Sequence, residues 1–227
     1  MTNNTSQLLD ELSSYLSTAL SSNVIKLIKR GGDGRIDSQE NERQISHALE
    51  LYSISNKWQE TKQLKLEVGP ARFWYDFIIK GESDIMIPVN VKVSTLRTSD
   101  NLSSKEGLFY ALTGINPLSV QINNWESFCK VLAENLGSKP ESDYFFLVIN
   151  KNEPGDVFWT SLKRIHELVP NGNNPPFQCN WSRNRNQSTR NEESAQIYIL
   201  DILRKTFELR AKALVSFNTH LLPLMRS

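Results

Sequence analysis

Apolar positions recur at helical spacing near the start of the chain. Leu8, Leu9, Leu12, Leu16, Leu20, Val24, Leu27 and Ile28 predict an amphipathic helix over residues 5–30. The cluster Gly31-Gly32-Asp33-Gly34 stops it. That cluster follows a helix and lacks a Gly-Lys-Ser/Thr ending, so it does not read as a phosphate loop. Asp37-Ser38-Gln39-Glu40 resembles a capping box for a second helix running to about Gln59. Ile45, Ala48, Leu49 and Tyr52 form its expected buried stripe. The period then shortens. Leu64–Val68 alternates polar and apolar residues, and Arg72–Ile79 and Ile85–Ser94 are rich in aromatic and β-branched residues, so three strands are expected. A polar loop at Thr95–Ser104 leads to a short helix, Lys105–Leu112, and a longer one, Ser119–Leu136. Further strands are expected at Tyr144–Asn150 and Val157–Thr160, and a short helix at Ser161–Leu168. A final helix spans Glu192–Leu222, with Ile197, Ile199, Leu200, Leu203, Phe207, Leu214 and Phe217 as its apolar positions. Helices at both ends and strands between them predict one α/β domain over residues 1–227, with a mixed central β-sheet flanked by helices.

Bulk composition narrows the function classes. The chain has 227 residues, 39% apolar and 22% charged, as expected of a globular protein outside the membrane. No apolar run approaches the ~20 residues of a membrane span. The N-terminus lacks the basic region of a signal peptide. A cytoplasmic location is expected, because Cys129 and Cys179 show neither a disulfide framework nor a zinc spacing. The three histidines, His47, His166 and His220, are too scattered to suggest a zinc motif. With a net charge of +1, any surface for nucleic acid has to be local.

The candidate chemistry lies in Trp74–Val93. Residues two apart on a strand share a face, so Asn90 and Lys92 project together and Val91 projects oppositely. A hairpin through Lys80-Gly81-Glu82-Ser83 would bring Asp76 to the same place. A carboxylate and an amide oxygen suit Mg²⁺, a hard cation that prefers oxygen ligands and keeps several waters. A lysine beside them can stabilise the charge that develops on a phosphodiester during hydrolysis. Asp84 is a rival to Asp76, although its turn position makes it the poorer ligand. Glu50, near the end of the second helix, is a further candidate metal ligand.

The order Glu50, Asp76, Asn90-Val91-Lys92 resembles the PD-(D/E)xK type II restriction endonucleases, the EcoRV-like branch above all. The segment IPVNVKVS, followed by DNLSSKEGLFYALTGINP, is also similar to a smaller ScaI-type family in which asparagine occupies the second acidic position. The resemblance covers roughly residues 45–118. Tyr75 stands where the family motif has proline. The resemblance implies a restriction-endonuclease-like core at 64–160 behind a helical part at 1–60. It also implies a Mg²⁺-dependent homodimer that cuts both strands of double-stranded DNA at a short palindrome, leaving 5′-phosphate ends. Asp76 would be a metal ligand, Asn90 a replaced acidic ligand and Lys92 the catalytic lysine. A DNA methyltransferase of the same specificity would protect the host. A repair or junction nuclease of the same fold is one alternative. A non-catalytic DNA-binding protein with a decayed nuclease core, suggested by Asn90, is another.

The segment 169–191, followed by the helix at 192–222, is a candidate DNA-recognition loop. It contains no Asp or Glu but carries Gln178, Asn180, Arg183, Asn184, Arg185 and Arg190. Amide side chains can pair with adenine and guanidinium with guanine or phosphate. Asn is also common in ordinary loops. Trp181 is expected to anchor the segment to the core. Arg97, Ser99, Asn101 and Lys105 form a second candidate backbone-contact region. A palindrome is read most simply by a two-fold dimer. The Leu stripe of the first helix could supply that interface or pack within its own chain.

Overall fold

Alternation along the strands explains how two helical layers come to share one sheet. The computed structural model describes residues 3–28, 34–82, 85–102, 104–173 and 176–225. Five strands, β1 (Leu64–Val68), β2 (Phe77–Gly81), β3 (Met86–Ser94), β5 (Phe145–Asn150) and β6 (Val157–Ser161), form a mixed sheet in the order β1-β2-β3-β5-β6. Pairing is antiparallel except between β3 and β5, which run parallel. A parallel pair needs a long crossover. Residues 95–144 supply it through α4 (Lys105–Thr113) and α5 (Trp125–Asn135).

One face of the sheet presents Phe77, Ile79, Val89, Val91, Phe145 and Leu147 to α1 (Asn3–Ser21), α2 (Gly34–Ser55) and α3 (Trp58–Thr61). Leu8, Leu9, Leu12, Leu16 and Leu20 of α1 are buried there, so the N-terminal Leu stripe packs within the chain. The opposite face presents Phe146 and Val148 to α4, α5 and α6 (Glu192–His220). β5 is thus apolar on both faces, as expected of a strand buried on both sides.

Several elements differ from the expected ones for local reasons. α1 ends at Ser21, with Asn23 in the left-handed region (φ 58°) and Val24 exposed. The second helix breaks at Lys57 (φ 53°) before the single turn of α3. β2 begins at Phe77 because Phe73, Trp74 and Tyr75 turn their rings into a cluster with Tyr110 and Tyr144 instead of extending the strand. Asn124 and Ser127 close a reciprocal capping box, so α5 starts at Trp125. Gly114, at φ 68°, ends α4 in a conformation that favours glycine. The expected helix at Ser161–Leu168 is a 3-10 turn over Leu162–Arg164. The polar loop after β3 contains a short strand, β4 (Ser99–Asn101), in a second sheet with β7 (Val169–Pro170) and β8 (Phe177–Asn180), ordered β4-β8-β7. The glycine cluster at 31–33 and Asp84 lie outside the described residues. No helix among the described residues is long and apolar enough to cross a membrane.

Candidate active site

β2 and β3 separate where the candidate residues lie. Their ladder runs from Lys80–Met86 to Phe77–Val89, and β3 then continues to Ser94 paired only with β5. The backbone amides on the open edge lose their strand partners, and an unpaired buried N–H is costly. Side chains take the place of the missing strand. Asp76 binds the edge twice: its backbone N–H donates to Val89 O at 2.9 Å, and its Oδ2 accepts from Val91 N at 2.7 Å. Two residues further along β3, the Val93 backbone lies near the Glu42 carboxyl of α2 and weakly opposes the rise of its pKa. Gly69 permits this arrangement. Its N–H donates to Asp76 O at 2.8 Å, and a Cβ there would lie 2.5 Å from Tyr75 O.

Glu42, Asp76 and Lys92 share one electrostatic field. Burial raises the Asp76 carboxyl above its ordinary range, while Lys92 and the Val91 amide hold it down. Burial pushes Glu42 up to about 7; Lys92 opposes this, and the neighbouring charges of Asp76 and Asp100 add to it. Lys92 is half-buried and makes no ion pair within 4 Å among the described residues. Asp100 reaches the group from β4, which pairs with β8 and sets Asp100 opposite Cys179.

Asn90 is the most informative atom-level feature. Its Oδ1 is buried and has no hydrogen-bond partner, and it is the one amide oxygen so left among the described residues. Such an acceptor costs about 1–3 kcal/mol. The Tyr144 hydroxyl donates to Trp74 O; burial raises it well above its ordinary range, the charge of Asp76 adds to this, and the nearby Asn90 side chain opposes it. Asn90 and Asp76 therefore converge from the two arms of the fork.

Asp76 and Glu42 line one cavity, with their carboxyls in each other's field, and the unpartnered Asn90 Oδ1 is buried beside them on β3. No group of three or more His, Cys, Asp or Glu side chains is clustered for a metal among the described residues. The fork opens into a cavity of about 670 Å³ lined by Glu42, Asp76, Arg43 and Arg72, among others.

Glu50 is placed elsewhere. It lies eight residues after Glu42 on α2, about 12 Å along the helix axis. Its carboxylate faces His47 at 3.4 Å and accepts from Val68 N at 3.4 Å, on the β1 side. The early turns of α2 lie over β3 and the later ones over β1, so the helix delivers Glu42 to the fork. Sequence proximity to the sheet favoured Glu50 because it carries no information about helix direction. Asn41 and Ser46, buried polar residues flanking Glu42, are the nearest local trace of a polar site.

The residues singled out for DNA contact divide sharply. Asn184 is fully buried; its Nδ2 donates to Glu167 O and Asn180 O, and its Oδ1 accepts from Glu167 N. Arg190 donates to Ile165 O and His166 O and stacks on Tyr198. Arg185 pairs with Asp156 and stacks on Phe158. Lys105 donates to Ile122 O and Asn123 O beneath Trp125. Asn180 Oδ1 caps the turn Trp181–Asn184 through Ser182 N and Arg183 N. Gln178 Nε2 donates to Asn101 Oδ1, joining β8 to β4. Arg183 forms an exposed pair with Glu167 at 3.1 Å. Arg97 is exposed, with no partner for its guanidinium among the described residues. Trp181 is fully buried, as expected of an anchor. The expected recognition loop is therefore a framework of short strands and turns in which most polar side chains bond internally.

No protein-family model matches the chain, and no curated protein matches it either.

Proposed function

We propose that this protein is a Mg²⁺-dependent, site-specific endonuclease of double-stranded DNA, on the PD-(D/E)xK plan of type II restriction enzymes. The observation that carries the reading is the fork itself: the carboxylate of Asp76 caps the open edge of β3, next to a buried Asn90 Oδ1 without a hydrogen-bond partner and the Lys92 ammonium without an ion pair among the described residues. Glu42 strengthens it by adding a carboxylate where the motif's second acid is replaced by asparagine.

Asp76, Glu42 and Asn90 would hold the cation, which supplies a positive charge to polarise the phosphoryl group and bring water to it. Lys92 projects from the same face as Asn90 and stabilises the negative charge that grows on the phosphoryl oxygens. Water attacks phosphorus, the bond to the 3′ oxygen breaks, and the ends are a 5′-phosphate and a 3′-hydroxyl. Arg43 and Arg72 line the 670 Å³ cavity together with Glu42 and Asp76, where they can meet phosphate. A methyltransferase of the same specificity would protect host DNA.

Incubation with unmethylated bacteriophage DNA tests the proposal. Discrete fragments with Mg²⁺ and none with EDTA are expected. A smear would point to a structure-directed or non-specific nuclease. Intact DNA at every protein concentration would remove the nuclease reading and favour a DNA-binding protein.

A further inference from the structure

α2 and the connection from β1 to β2 supply the two walls of the 670 Å³ cavity at the fork. Glu42 and Arg43 line it from α2, and Gly69, Pro70, Arg72 and Asp76 line it from the connection. Carboxylates there repel a phosphodiester. The cationic side chains that oppose them are the two arginines, since no lysine or histidine lines the cavity. Arg43 and Arg72 are both exposed, and neither guanidinium makes a hydrogen bond, ion pair or ring contact among the described residues. An arginine beside carboxylates has a strong, two-point partner available. Here neither arginine takes it.

The backbone fixes where Arg72 stands. Phe73 N donates to Pro70 O at 3.1 Å and closes a four-residue turn in which Arg72 has φ 62°. A positive φ at the third residue is the pattern of a type II turn, which favours glycine there. Arginine in that place carries backbone strain, because its Cβ crowds the next carbonyl. The turn is tied to the site. Gly69 N donates to Asp76 O at 2.8 Å, and Phe73 packs edge-on against Tyr75 with ring centroids 4.7 Å apart. The loop that carries Arg72 is therefore closed on the residue that caps β3. A cation held at a conformational cost, unpaired on the wall of a cleft, points to a contact made outside the chain.

We propose that Arg72, with Arg43 on the facing wall, clamps a backbone phosphate of duplex DNA beside the scissile one. This rests on the nuclease function proposed for the fork. A guanidinium is a planar fork of N–H donors that can meet two phosphate oxygens at once. Such a contact sets the register of the strand without reading its bases. It also offsets the repulsion between the cavity's carboxylates and the DNA. Because the strained turn is closed on Asp76, the gripped phosphate is held in fixed relation to the fork.

Fluorescence anisotropy of the full chain on a short labelled duplex, in EDTA and across a salt series, tests this. Arg72→Gly should weaken binding roughly tenfold and make the slope of log K against log salt shallower by about 0.9, the value for one lost phosphate contact. Its thermal midpoint should be no lower than that of wild type, because glycine suits the turn. Arg43→Ala, at an exposed position of α2, should give the same loss and does not depend on the turn. Arg72→Lys should keep most of the slope. Lys57→Gly removes a positive charge from another left-handed residue, one that does not line the cavity, and should change neither affinity nor slope. With Mg²⁺, Arg72→Gly should cut bacteriophage DNA more slowly but into the same fragments. Wild-type affinity and slope in either arginine variant would overturn the clamp while leaving the nuclease reading intact. An altered fragment pattern would overturn it too, by making Arg72 a reader of bases. A wild type that binds DNA through both arginines yet never cuts it would keep the phosphate contact and remove the nuclease reading. A wild type that does not bind duplex DNA would overturn both.

Discussion

The fork at β3 and the Asn/Arg-rich segment at 169–191 both attract attention in the sequence, and the fold treats them oppositely. At 169–191 the backbone turns often, and the side chains satisfy it. Asn184, Arg190 and Asn180 bond to carbonyls or amides within the domain. At the fork the backbone runs out of strand partners, and the Asp76 carboxylate is drawn in to cap it. That leaves charges close together and, among the described residues, an amide oxygen unpaired and an ammonium without an ion pair. A high density of polar residues is therefore weak grounds for a binding surface. Polar groups left unsatisfied in a cleft are stronger grounds, because the protein bears their cost without a compensating contact.

The comparison can be broken at either end. The largest stability effect is expected within the segment. Asn184→Ala removes three internal hydrogen bonds from a fully buried side chain and should destabilise the fold by about 3 kcal/mol, read from urea denaturation. Any DNA affinity measured on the folded fraction should be unchanged. A well-folded Asn184→Ala protein with reduced affinity would return the segment to the DNA surface.

A smaller effect of opposite sign is expected at the fork. Glu42 has a folded-state pKa of about 7, against an ordinary value of 4.5. Below pH 4.5 the carboxyl is protonated in both states and costs nothing. Between 4.5 and 7 the unfolded chain releases the proton while the folded chain keeps it, so stability falls as pH rises; above 7 the loss is complete. Glu42→Gln removes this penalty. It should raise stability by about 2 kcal/mol at pH 8 and change little at pH 4, read from thermal midpoints at the two pH values. A variant equally stabilised at both would show that burial of the charge is not the cause.

Much of the framework was legible in the sequence. β1 coincides with its alternating run, β3 and β5 with theirs to within a residue, and two-residue periodicity set Val91 on the face opposite Asn90 and Lys92, where it is buried in the core. The hairpin joining Asp76 to Asn90 followed from the same reasoning, and its register sets Phe77 opposite Val89. Other features depend on tertiary partners. β4 is Ser-Asp-Asn, with no apolar alternation, and it is a strand only because β8 lies alongside. Trp74 and its neighbours have strand-like composition but bury their rings in the second core. The choice between Glu42 and Glu50 depends on how α2 crosses the sheet, which helical periodicity does not encode: two glutamates eight residues apart lie on nearly the same helical face.

That choice gives the most direct test. Cleavage of duplex DNA should be measured under single-turnover conditions at saturating Mg²⁺ for wild type, Glu42→Gln and Glu50→Gln. If Glu42 completes the centre at the fork, Glu42→Gln should slow cleavage by roughly 100-fold or more, whereas Glu50→Gln should stay within a few-fold of wild type. Full activity in Glu42→Gln together with loss in Glu50→Gln would contradict the account, because the fork would then lack the second carboxylate on which it depends.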